Sequence, residues 1–76
     1  MLLSSEIKII KQLQRQFNCK VHKSERTHSI TVGFKFKETP PISVFKFIKE
    51  KLPRGDVRVS NVLFNQLSVY FSSNTH

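Results

Sequence analysis

Between Ser29 and Lys37 every second residue is apolar: Ile30, Val32, Phe34 and Phe36 alternate with Ser29, Thr31, Gly33, Lys35 and Lys37. Successive side chains of a strand point to opposite sides, so this period of two predicts a strand with one buried face and one wet face. The chain must therefore supply a second layer to cover the apolar side, and it has little material for the purpose. Seventy-six residues with 38% apolar side chains support one two-layer core and no second one, so a single domain over 1–76 is expected. Its last four residues, Ser73-Asn74-Thr75-His76, read as a frayed tail.

The covering layer is legible as two helices. Ile7, Ile10, Leu13 and Phe17, with Ile9 beside them, recur at three- and four-residue steps and predict a helix over about 5–17. Ser4 or Ser5 is expected to cap it, Glu6 to sit at the positive end of its dipole, and Asn18 to stop it. Thr39-Pro40-Pro41 reads as the start of a second helix, with threonine as cap and proline in the first turn. Its expected stripe is Ile42, Phe45, Ile48 and Leu52, widened by Val44 and Phe47, and Pro53-Arg54-Gly55 ends it.

Three further strands follow from alternation. Cys19 and Val21 oppose Lys20, His22 and Ser24; a turn around Glu25-Arg26-Thr27 then leads into the strand of Ile30. Val57 and Val59 alternate with Asp56, Arg58 and Ser60, and after a turn near Asn65-Gln66, Leu67, Val69 and Phe71 oppose Ser68, Tyr70 and Ser72. The expected fold is a two-layer α+β sandwich of order α-β-β-α-β-β, with one four-stranded antiparallel sheet and both helices on one of its faces. A shift of 37 or 38 positions superposes the two αββ halves. Duplication and independent origin both account for that.

Charge then bears on function. Thirteen Lys and Arg against five Asp and Glu give a net charge of +8, an excess that points to a polyanionic partner. The outward strand positions collect Lys20, His22, Ser29, Thr31, Lys35, Lys37, Arg58, Ser68 and Tyr70 around the flat spot at Gly33. Lys20, Lys35, Lys37 and Arg58 are the candidates for phosphate contacts, with His22, Thr31 and Tyr70 as secondary contacts to backbone or bases. The partner expected on this reading is nucleic acid, either DNA or structured RNA. Lys8, Lys11 and Arg15, and Lys46, Lys49 and Lys51, form charge stripes on the helices that are expected to face water.

The stretch after Val59 carries no Lys, Arg, Asp or Glu. An uncharged hairpin with Val62, Leu63, Phe64, Val69, Tyr70 and Phe71 either lies centrally in the sheet or forms an interface, so a homodimer through residues 59–72 is a further expectation. The rival function is a protein-interaction module, an accessory or inhibitor protein that docks this hairpin on a larger partner.

Other classes find little support. The five carboxylates are scattered, with no pair spaced for acid/base or two-metal work. Cys19, His22 and His28 do not close a zinc site, because alternation sends Cys19 inward and His22 outward. The same opposition disfavours a Cys–His nucleophile, and two glycines make no phosphate loop. No enzyme, metal or cofactor is expected, and Cys19 reads as a buried thiol. Apolar runs of two or three residues are too short for a membrane span. The phenylalanines of Phe34-Lys35-Phe36-Lys37 and Phe45-Lys46-Phe47 belong to the core rather than to a membrane surface. Met1–Glu6 has no basic and apolar leader pattern, so an intracellular location is expected.

The segment His28–Ser72 resembles part of the LAGLIDADG homing-endonuclease fold. The likeness lies in Ile30-Thr31-Val32-Gly33-Phe34-Lys35-Phe36-Lys37, in Phe45-Lys46-Phe47-Ile48-Lys49-Glu50-Lys51-Leu52, in Gly55-Asp56-Val57-Arg58-Val59-Ser60, and in the strand Leu67–Phe71. It covers just over half of the chain. The resemblance implies a saddle of antiparallel strands set in the DNA major groove with helices behind it. The first helix lacks a LAGLIDADG-like sequence and ends without an acid, so the resemblance implies the scaffold and the binding mode without cleavage.

Overall fold

A computed structural model of the chain describes residues 2–60 and 62–72. The expected order holds: α1 (Ser4–Phe17), β1 (Lys20–Glu25), β2 (Ser29–Lys35), α2 (Ile42–Lys51), β3 (Asp56–Val59) and β4 (Gln66–Ser72). The strands form one antiparallel sheet in the order β1-β2-β4-β3, with both helices on one face. The two hairpins meet through β2 and β4, the strands with three inward apolar residues each. Ile30, Val32 and Phe34 stand opposite Phe71, Val69 and Leu67, and all six are buried. Ile10 and Leu13 of α1, Val44 and Ile48 of α2, and Leu52 just beyond it close the core from above. Each such buried side chain stabilises the fold by about 1.5–3 kcal/mol relative to exposure. Phe17 meets Phe47 edge to face, with ring centroids 6.2 Å apart, and so joins the end of α1 to α2.

Several local expectations are corrected. Neither Ser4 nor Ser5 caps α1; both lie inside it, and Leu3 holds the cap position in extended backbone. Leucine has no acceptor, so the cap works from the other side. Glu6, in the first turn, reaches back with Oε1 to accept the Leu3 N–H at 2.8 Å. Asn18 does end α1, in left-handed backbone at φ 50°. Pro41 rather than Thr39 precedes the first residue of α2. Ile42 falls off the core stripe and is 73% exposed, because the buried line runs at four-residue steps through Val44, Ile48 and Leu52. Glu25 belongs to β1, paired with Ile30, and is not part of the turn.

The edge strands share the apolar side only in part. On β1, Lys23 and Glu25 follow Val21 on the inner side, opposite Val32 and Ile30, yet remain exposed. On β3, Val57 is half-buried and Val59 is 56% exposed. The expected tail at 73–76 lies outside the described residues.

Gly55 is required for space. A Cβ there would overlap the Cγ1 methyl of Val69 and stand 3.2 Å from two ring carbons of Phe71, both of them core residues that cannot retreat. Its φ is not positive, so close approach, and not backbone conformation, demands the glycine. Gly55→Ala should cost about 2 kcal/mol, lowering the melting temperature by roughly 10 °C. A Cβ at Gly33 meets only the His22 carbonyl oxygen at an ordinary 3.6 Å, so Gly33→Ala should melt no lower than the parent. Thermal denaturation of the two variants side by side checks the contrast.

Candidate nucleic-acid interface

The pairing register arranges the uncovered side of the sheet in rungs. Residues opposite each other in an antiparallel pair share a face, so each rung reads across all four strands. The first is Lys20, Lys35 and Gln66, with Ser60 donating its backbone N–H to the Gln66 carbonyl at 3.5 Å. The second is His22, Gly33, Ser68 and Arg58, and the third is Ser24, Thr31, Tyr70 and Asp56. Rungs lie about 7 Å apart and strands about 4.8 Å apart. Charge is graded along the strands: the first rung carries two lysines, the second a histidine and an arginine, the third an acid.

Lys20 and Lys35 are direct cross-strand partners. Like charges in that relation repel and cost stability, and no carboxylate among the described residues forms an ion pair with either. Lys37 was expected on the outward face of the same strand. It lies two residues beyond β2, in a bend, past Phe36, which still pairs with Asn65 in the β2–β4 register. The Phe36 N–H donates to the Asn65 carbonyl at 2.8 Å, and the Asn65 side-chain amide donates to the Phe36 carbonyl at 3.0 Å. Lys37 nonetheless lines a hollow of about 460 Å³ together with Lys20, Lys35 and Asn65. A second hollow of about 550 Å³ runs over Gly33 and Ser68, bounded by Lys20, His22 and Lys35 on one side and Arg58 and Ser60 on the other. Glycine supplies its floor.

Arg58 and Tyr70 are engaged with each other. The guanidinium lies 4.6 Å from the Tyr70 ring centroid, and its Nε donates to Asp56 Oδ2 at 3.4 Å. Both charged side chains are well exposed, so the pair is weak. It turns the arginine over the ring face that a base would need for stacking. Thr31 stands opposite Tyr70 and is half-buried, within the third rung and away from the lysines. The sequence reading put Gln66 in a turn and so missed it on this face. Alternation set Ser24 and Ser60 opposite the apolar residues without counting them among the candidate contacts, and the register brings both onto the face. Asp56, which alternation sets on the same side as Arg58, stands on this face as well.

Elsewhere, one acid is buried. Glu6 is 4% exposed and accepts from Arg54 through both oxygens, Nε to Oε2 at 2.9 Å and Nη2 to Oε1 at 2.6 Å. Arg54 and the Leu3 N–H hold its carboxyl below the ordinary range against the opposing effect of burial, and Glu6 in turn raises the Arg54 guanidinium. Cys19 is buried, and desolvation pushes its thiol up. Among the described residues no three His, Cys, Asp or Glu side chains are grouped to hold a metal, and no helix is long and apolar enough to cross a membrane.

No protein-family model matches the chain, and neither a curated protein nor a solved structure matches it.

Proposed function

We propose that this protein binds the phosphate backbone of nucleic acid, DNA or structured RNA, through the uncovered face of its sheet, without catalysis, inside the cell. The observation that carries the reading is the directly opposed Lys20–Lys35 pair, with Lys37 lining the same hollow. A repelling pair costs stability in the free protein, and a polyanion between the two ammonium groups reverses the sign of that cost. His22 and Ser68 on the next rung offer hydrogen bonds to phosphate and sugar. Arg58 closes the hollow on its far side, about 12 Å from Lys35 by strand and rung spacing. Tyr70 and Thr31 are secondary contacts. A sheet with helices behind it is also the scaffold that the LAGLIDADG resemblance implies, and we extend that to a wide groove as the docking site.

The rival reading, a module that docks its uncharged hairpin on a protein partner, is favoured by one feature. Val62 and Phe64, in the loop between β3 and β4, are 84% and 71% exposed.

Salt discriminates between them. If Lys20, Lys35, Lys37 and Arg58 each neutralise a phosphate, the logarithm of the association constant for duplex DNA should fall against that of salt with a slope of about −3 to −4, roughly a 10²-fold loss between 50 and 200 mM. Titrations of a duplex, a single strand and a structured RNA at several salt concentrations measure it. Binding that stays level over that range would remove the proposal.

A further inference from the structure

The free edge of β3 fits a second copy of this chain, and we propose that the protein dimerises by antiparallel β3–β3 pairing into one eight-stranded sheet. The inference stands on the fold alone and is independent of nucleic-acid binding.

β3 ends the sheet on one side. Within its ladder to β4, the Ser60 N–H donates to the Gln66 carbonyl, which makes the even-numbered residues the hydrogen-bonded partners of β4. Antiparallel strands alternate in this respect, so Val57 and Val59 aim their N–H and C=O groups away from β4, at the open edge. An edge with outward groups of that kind is a template for another strand.

Register decides which strand. A second copy related by a dyad normal to the sheet keeps helix side with helix side only if residues of equal parity face each other. With Val57 opposite Val57, each Asp56 stands opposite Arg58 of the second copy, and Val59 stands opposite Gly55, which has no side chain to obstruct it. The neighbouring allowed registers set Asp56 against Asp56 or Arg58 against Arg58. Of these three registers only the first joins opposite charges, and it is the one that sets Val57 against Val57 and brings the exposed Val59 against the second copy. The Val57 pair exchanges two backbone hydrogen bonds, and each Val59 N–H reaches the Gly55 carbonyl of the second copy. The other edge is guarded differently: β1 carries Lys20 and Lys23 on opposite sides, which disfavours pairing. The dimer would set two cationic faces side by side on one surface.

Sedimentation equilibrium without nucleic acid tests this, between roughly 10 µM and 1 mM, the range of a small interface. The parent should climb toward twice the 8.9 kDa chain mass. Asp56→Arg and Arg58→Asp should each hold it at the monomer mass, since either sets like charges opposite each other. The doubly substituted Asp56→Arg/Arg58→Asp chain should dimerise again. Val59→Pro, which removes an outward N–H that β4 does not use, should be monomeric with an unchanged circular dichroism spectrum. A parent that stays monomeric throughout, or a single charge variant that associates like the parent, would overturn the proposal.

Discussion

Lys35→Glu is expected to make the protein more stable and a worse binder at once. Opposite Lys20, the substitution turns a repelling cross-strand pair into an attracting one, which should raise unfolding free energy by about 0.5–1 kcal/mol. The same change removes one phosphate attraction of about 1 kcal/mol in water and adds a comparable repulsion. Reversing both, in Lys20→Glu/Lys35→Glu, restores a like-charged pair and so returns stability to about the parental value. The electrostatic loss then doubles to about 4 kcal/mol, or 10³-fold in affinity. Opposite movements of stability and affinity separate a ligand-binding pair from a merely solvated one. Chemical denaturation and binding titrations on the two variants measure both. If Lys35→Glu binds as the parent does, the lysines are not the contact.

The second large effect concerns the ion pair that ties α1 to the turn before β3. Arg54→Ala leaves the Glu6 carboxylate buried without its two guanidinium hydrogen bonds, and strips a cation from above the Phe71 ring, 6.0 Å away. We expect a loss of about 3 kcal/mol, a large share of the stability open to a domain of this size. Adding Glu6→Gln to Arg54→Ala should return part of it, because the stranded charge is gone. Because Arg54 depresses the folded-state value of Glu6, the pair's contribution is fully present above the unfolded carboxyl value of about 4.3. It is lost as pH falls through the folded value. Glu6→Gln should flatten the part of the stability–pH curve below about 4.3. Denaturation between acid and neutral pH checks it, and a pH profile unchanged by the substitution would contradict it.

What the sequence made legible was periodic. The alternation from Ile30 to Phe34 and from Leu67 to Phe71 placed the central strands and their faces, and with them the outward Lys20, His22, Lys35, Arg58 and Tyr70. Periodicity failed where chain ends and edges matter. Ile42 fits a helical stripe on paper, but the buried line of α2 runs through Val44 and Ile48 and leaves it outside. Val59 alternates correctly, but at the last position of the edge strand it is left uncovered. Long-range partners left no local trace: Glu6 and Arg54 are 48 residues apart, and Asn65 clamps Phe36 across 29. Lys37 lies past that clamp, in a bend beyond the strand. Gly55 read as a helix terminator because sequence shows no crowding, and the Arg58–Tyr70 contact follows only from a register that alternation cannot supply.

The central claim is that the face with Lys20, Lys35 and Lys37, and not the helix surfaces with Lys8, Lys11, Arg15, Lys46, Lys49 and Lys51, receives the polyanion. Amide chemical-shift mapping during addition of a short DNA duplex or RNA hairpin tests it most directly. The account predicts shifts concentrated at Lys20, His22, Gly33, Lys35, Lys37 and Ser68, with the helix lysines silent. Shifts centred on α1 and α2, with the sheet unmoved, would contradict it.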